Sequence, residues 1–562
     1  MTTIISALDN YTYSQNGEKG SIEYAWSNNI REKIIQLSFQ LTRTKRDTID
    51  FLAIQTNDIL NYLTRSYMSA IISREEYIEY MSIMYRMIGH TRDIVEGKGE
   101  YSLAYMLVDV WYNHYPELAL FAFKHFVMLP DGTMPYGSWK DIKYFYKINK
   151  TSPVVTYGVT LLINQIRQDI ASENPSLAAK CVPREKSQYS DLFTEIATNY
   201  FSEYIMTAKT DLSRINAINK AKMNFRKIIS TINRKLDTVQ IKQCDNDWSN
   251  IDPVKQTSIT MHKQKRAFFN VDRKGNQRTK LDDRIICADK FKEFATKAFN
   301  GEVEVKGKRI SLNDFTRDAL NIIPRNDSDE AKILNAQWLD NSKQTGALGK
   351  MIAMVDVSGS MYGDPMNAAI ALGIRVAEKS MLGKRVLTFS ESPSWINLDG
   401  IDNFVDMVET LKNSNWGMNT NFIAALKLIL DAIITQKLKP DDVEDMVLVI
   451  FSDMQIDHAD ASYTSLMDTI NAQYYAAGLR LWNKPFKPPH ILFWNLRSTS
   501  GFPTLSTVPN ASMMSGFSPA LLNVLCDEGI ESLSQYSPWS LFMKSLNSDR
   551  YKVLDEHIRN TL

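Results

Sequence analysis

Four short runs in the second half of the chain are apolar at almost every position: "KMIAMVDV" (350–357), "RVLTFS" (385–390), "DMVLVIFSDM" (445–454) and "HILFWNL" (490–496). Between them lie helical segments such as "DPMNAAIALGIRVAEKSM" and "TNFIAALKLILDAIIT". Strands that are apolar on both faces and alternate with helices predict a parallel sheet covered on both sides, an α/β doubly wound, Rossmann-like fold. Ligands of such folds sit beyond the carboxyl ends of the strands. The residues that follow each run therefore carry the functional interest.

Three of those ends supply oxygens. The first run leads into "DVSGSM" with Asp356, Ser358 and Ser360 at alternating positions; the loop "WGMNTNF" holds Thr420; the third run ends in Asp453. Carboxylates, hydroxyls and water suit a hard cation, Mg2+ above all, with Mn2+ or Ca2+ as alternatives. Two other readings compete. A Ser or Asp ahead of a helix commonly caps it, and Ser360 could be a nucleophile, although it lacks the flanking glycines of a GxSxG elbow and no histidine stands in an obvious partner position. The stretch "EGKGE" (96–100) is not a phosphate loop, since the Gly spacing and the Lys-Ser/Thr pair are missing.

"DVSGSM", "GMNTNFIAAL" and "VIFSDMQID" together resemble the von Willebrand factor A domain, whose metal-ion-dependent adhesion site draws on a DxSxS loop, a threonine and an aspartate. The resemblance carries Asp356, Ser358, Ser360, Thr420 and Asp453 onto the five motif positions. It implies an open coordination position that accepts an Asp or Glu from a protein partner.

The first half has a different rhythm. In "IREKIIQLSFQL" Ile30, Ile34, Leu37 and Leu41 form one stripe of a 3.6-residue period, and the pattern recurs in "NDILNYLTRSYMSAII" and "YIEYMSIMYRMIG", where Gly89 reads as a C-terminal stop. Further helices are predicted over 101–113, 117–127, 154–171 and 189–207, and "RIICADKFKEFATKAFNG" reads as a helix closed by Gly301. A strand pair is expected around "VEVKGKRISL" (303–312) and a connection over 324–350. At 562 residues the chain exceeds the roughly 250–300 at which single cores stop growing. The predicted organisation is a multidomain chain: an N-terminal extension (1–29), an all-α helical domain (30–335), an α/β domain (345–530) and a helical tail (531–562).

Net charge is only +1, yet Arg214 to Arg309 holds 23 Lys and Arg against 11 Asp and Glu. A basic surface with aromatics such as Phe225, Trp248, Phe268 and Phe269 can bind phosphates and stack bases; a solvated helical face over core aromatics is the competing reading. "HTRDIVEGKGEYSLAYMLVDVWYNHYPE", "YGSWKDIKYFY", "LAAKCVPREKS" and "FRKIISTINRKLDTVQ", followed by "FWNLRS" and "MMSGFSPALLNVL", resemble a largely uncharacterised family related to TROVE-module proteins, in order over most of the chain. Such proteins, the Ro RNA-binding protein among them, pair HEAT-like helical repeats with a von Willebrand A domain and bind structured small RNA. The resemblance implies a non-enzymatic ribonucleoprotein scaffold, with Lys140, Arg226, Lys227, Arg234, Lys263, Lys265 and Arg266 as candidate RNA contacts; a protein interaction module without RNA is the alternative. Where such relatives often read "GKGER" this chain reads "GKGEY", so Tyr101 replaces a basic group. The segment could equally be a turn before the next helix, with Trp139 of "SWKDI" a packing anchor and Lys140 and Asp141 solvated.

The four cysteines are scattered, without zinc or disulfide spacing. No signal-like start and no run of about 18 apolar residues occurs. A cytoplasmic, non-membrane protein is expected, with the virion a further location if the source is a large DNA virus, since the resembled family has viral members.

Overall fold

The computed structural model describes residues 14–16, 22–129, 133–325, 328–389, 393–414, 422–454, 463–499, 501–506, 510–526 and 537–562. A small antiparallel ribbon, β1 (Ser14–Asn16) and β2 (Ile22–Tyr24), precedes a long helical stretch. Its helices are α1 (Ile30–Gln40), α2 (Arg46–Met68), α3 (Arg74–Arg92), α4 (Tyr101–His114), α5 (Pro116–Val127), α6 (Lys140–Ile148), α7 (Pro153–Ala171), α8 (Ala178–Cys181), α9 (Ser190–Tyr200), α10 (Ser202–Met206), α11 (Asp211–Lys235), α12 (Val239–Cys244), α13 (Ser258–Phe268), α14 (Asp282–Phe299), α15 (Leu312–Ile322) and α16 (Ser328–Ser342). Local chemistry sets several starts: Ser73 and Glu76 make a capping box for α3, and Pro116 and Pro153 open α5 and α7 at the one position where a missing N–H costs nothing.

Three local expectations fail for physical reasons. The connection expected over 324–350 holds α16, whose Ile333, Leu334 and Trp338 are buried in the cores. Gly89 does not stop α3, which runs on to Arg92. A Cβ at Gly89 would lie 2.8 Å from Leu554 Cδ1, so the glycine admits the C-terminal helix at close range. Residues 303–312 form no strand pair but a loop and turn before α15. The N–H groups of Gly307 and Lys308 donate to Asp340 Oδ2 on α16 at 2.7 and 3.3 Å, which meets the need a hairpin would have met.

The second half holds β3 (Met351–Asp356), α17 (Asp364–Lys379), β4 (Arg385–Phe389), β5 (Trp395–Asn397), α18 (Phe404–Lys412), α19 (Phe422–Thr435), α20 (Pro440–Val443), β6 (Val447–Ser452), α21 (Tyr463–Trp482), β7 (His490–Asn495), β8 (Ala511–Ser515), α22 (Pro538–Leu546) and α23 (Lys552–Thr561). The six-stranded sheet has the order β5-β4-β3-β6-β7-β8, parallel except for β5. Alternate residues bury to opposite faces. Ile352, Met354, Leu448, Ile450, Ile491 and Phe493 join a core continuous with the first helices, while Ala353, Val355, Val449, Phe451, Leu492 and Trp494 join one built with α15 to α18. A third core, with Met261, Phe268 and Phe291, lies among α13, α14 and α16.

The helical and α/β parts share the first two of these cores. Arg375 of α17 is fully buried, donates to the Asn341 carbonyl at 3.3 Å and Oδ1 at 3.0 Å, and stacks on Trp338 of α16 at 4.3 Å. On the opposite side Lys98 of the "GKGE" turn reaches α1 and β8. Its Nζ donates to the carbonyls of Ser38 (2.5 Å) and Leu41 (3.1 Å) and to Ser515 Oγ (2.8 Å). Gly97 makes the turn possible, because any Cβ would strike the His90 carbonyl, and Gly99 sits at φ +72°. Removing the ammonium strands the buried Leu41 carbonyl and takes a charged donor from Ser38 and Ser515. Lys98→Ala and the length-preserving Lys98→Met are each expected to lower unfolding free energy by about 3 kcal/mol in a urea titration; a loss under about 0.5 kcal/mol would show the contacts to be incidental.

Candidate functional site

The sheet order reverses between β3 and β6: the chain goes outward from β3 to β4, then returns to place β6 on the other side. The crevice at such a switch point is where a doubly wound sheet receives its ligand. Asp356 ends β3 and Asp453 follows β6, so the two carboxylates meet at that crevice, both fully buried.

The loop after β3 is folded around the first carboxylate. Asp356 Oδ1 accepts the Ser358 N–H at 2.9 Å, and Oδ2 accepts the Ser452 hydroxyl at 2.6 Å. Ser358 and Ser360 place their hydroxyls 3.0 Å apart. Ser358 makes no side-chain cap bond to the 3-10 turn that follows it, and Gly363, not a serine, precedes α17. The capping reading of these residues therefore does not describe them. Arg497, two residues beyond β7, donates to the Ser360 carbonyl at 2.9 Å, and its Nη1 stands 3.8 Å from Asp453 Oδ2. Thr420 lies outside the described residues.

Burial, and then repulsion from Asp453, pushes the Asp356 carboxyl up to about 6, against the pull of Ser452 and Ser358. Two buried carboxylates with hydroxyls beside them make a hard-oxygen set short of positive charge, so the residues fit a divalent cation. Among the described residues no three His, Cys, Asp or Glu side chains gather, so Ser358, Ser360 and water would complete a shell here.

The basic candidates divide into two groups. Lys140, Lys227, Arg234 and Lys263 are exposed, Arg234 standing 3.5 Å from Asp245. Arg226 is exposed but pairs with Glu185. Lys265 is buried against Asp318, and Arg266 lies 2.8 Å from Glu330. Phe225, Phe268 and Phe269 are core residues, and Trp248 is covered by the Arg284 guanidinium at 3.6 Å. Trp139 is buried as an anchor and Lys140 is solvated, but Asp141 is not: it is fully buried against Arg92 (2.5 Å) and the Tyr105 hydroxyl (2.6 Å).

Comparison with known proteins gives two matches. Residues 350–552 match DUF7788, described as a domain of unknown function. The chain is also similar to an uncharacterized protein of Acanthamoeba polyphaga mimivirus, 28% identical over 495 residues that cover 83% of this chain and 80% of the relative. Among the described residues no helix is long and apolar enough to cross a membrane.

Sequence reasoning passed over Ser452 and Arg497. Both had a signal: Ser452 is the hydroxyl directly before Asp453, and Arg497 stands just past a strand end in "FWNLRS". The raised Asp356 pKa fixes a pH dependence. A folded-state value above the unfolded 3.8 means this group's stabilising contribution is complete below 3.8 and is lost as pH rises through about 6. A cation needs the ionised form, so Mg2+ affinity by calorimetry should be about tenfold weaker at pH 5 than above pH 7. A flat profile would remove Asp356 from the ligand set.

Proposed function

We propose that the protein is a non-catalytic RNA-binding or ribonucleoprotein scaffold whose α/β half is a von Willebrand A-like domain with a metal-ion-dependent adhesion site, Mg2+ being the preferred ion. The observation that carries the metal arm is the pair Asp356 and Asp453 at the switch point, with Ser358 and Ser360 alongside. In this reading Thr420 is the fifth contributor, and an acidic group of a protein partner takes the open coordination position. The HEAT-like helical half holds structured small RNA. Support for that arm is the excess of Lys and Arg between Arg214 and Arg309 together with the exposure of Lys140, Lys227, Arg234 and Lys263.

The second reading, a metal-dependent protein interaction module without RNA, is favoured by one observation: Arg226, Lys265 and Arg266 are engaged in ion pairs, which lowers the charge available to phosphates. Two measurements separate the readings. Mg2+ at about 100 times its Kd should stabilise the protein by about 2.7 kcal/mol, and Asp356→Ala or Asp453→Ala should abolish that gain; an unaltered gain in either variant would remove the site. Structured RNA should bind in the micromolar range at low salt and weaken steeply as salt rises. No binding under those conditions would leave the interaction module as the surviving reading.

A further inference from the structure

The start of α4, the face of α6 and the turn α8 bring together side chains that the metal site does not use. Tyr101 is 47% exposed, and its ring lies 5.7 Å from that of Tyr144. Lys140, Lys143 and Tyr144 stand at i, i+3 and i+4 on α6, one face of the helix. The Lys143 ammonium is 5.8 Å from the Tyr144 ring centroid and donates to the Cys181 carbonyl at 3.5 Å. Lys180, next to Cys181, is exposed, as is Lys140.

The charges here are uncompensated. Burial, and then the ammonium of Lys140, lowers both Lys143 and Lys180. Among the described residues none of the three lysines has an ion pair. The nearby acids are committed elsewhere: Asp141 to Arg92, and Glu185 to Lys222 and Arg226. Three cations without a counterion ask for an anion, and partly exposed rings among them ask for flat partners. Single-stranded RNA offers both phosphates and free base faces, whereas a duplex hides its bases and an acidic peptide would leave the rings idle.

We propose that Tyr101 and Tyr144 with Lys140, Lys143 and Lys180 form a stacking platform for a single-stranded RNA segment. The platform rests on the RNA arm of the function proposed above and gives it a place and a substrate class.

The test is fluorescence anisotropy of the full chain with labelled oligouridine at about 50 mM salt, against a blunt RNA duplex and polyglutamate as competitors. Tyr101→Ala should weaken oligouridine binding about 5- to 100-fold, the loss of one stacked base, and Tyr101→Phe should retain it. Lys140→Gln with Lys180→Gln should reduce the log–log salt slope by about 1.4, while Lys412→Gln on α18 should bind like the wild type. Equal melting temperatures would show that the variants are folded. Oligouridine bound equally by wild type and Tyr101→Ala would overturn the platform and leave the RNA reading standing. Competition by the duplex equal to that by the free strand would do the same. Displacement by polyglutamate as effective as by unlabelled RNA would make this a surface for acidic protein. No binding of any RNA by the wild type would overturn both.

Discussion

The Lys98 ammonium stands between the end of α1 and the last strand of the sheet, with almost no access to water. Burial pushes its pKa down to about 7, and it is held by two main-chain carbonyls and one hydroxyl. The carbonyls of Ser38 and Leu41 belong to the last turn and cap of α1, where helix acceptors lack intrahelical i+4 donors and the macrodipole is negative; Ser38 also accepts the Ser515 hydroxyl at 3.0 Å. Neighbouring His90 is forced neutral, its pKa lowered to about 3 by burial and then by Lys98. One cation thus satisfies a helix end and joins it to β8. Both functions depend on a turn that Gly97 and Gly99 alone can make.

From that joint the contacts lead to the crevice. Asn495, the last residue of β7, donates to the Phe39 carbonyl at 3.2 Å, and Gln40 Oε1 accepts the Thr499 N–H at 2.8 Å. These bonds fix the segment that carries Arg497 to the Ser360 carbonyl. A second connection runs through Arg43, which stands 3.4 Å from Glu100 beside Tyr101 and 3.2 Å from Asp364 at the start of α17. The helical half and the oxygen cluster are therefore mechanically continuous. An event on one has a short, bonded path to the other.

How much of this could be read in advance depended on whether a residue's role was set by its neighbours in sequence or in space. The four apolar runs became β3, β4, β6 and β7 because burial on both faces leaves a local signature, and the 3.6-residue stripes became helices for the same reason. β5 and β8 were missed: "WIN" and "ASMMS" are short and mixed, and their strand state comes from pairing with β4 and β7. Asp356 and Asp453 were legible because strand ends announce themselves. The fate of Lys265 was not, since it turns on Asp318, which only the fold brings near. The aromatics near the basic segment were likewise core residues, while Tyr101 and Tyr144 meet across 43 positions of sequence that no periodicity links.

β8 is the outermost parallel strand, and α1 and α22 lie against it. An apolar sheet face stripped of the helix that covers it is an aggregation liability. In this protein the cover of α1 comes from more than 450 positions away in sequence, as the Gln40 to Gly501 bond at a separation of 461 residues makes plain. The α/β half cut out at its apparent boundary would therefore emerge with an adhesive flank, and its insolubility would speak of a lost neighbour rather than of a sequence unable to fold.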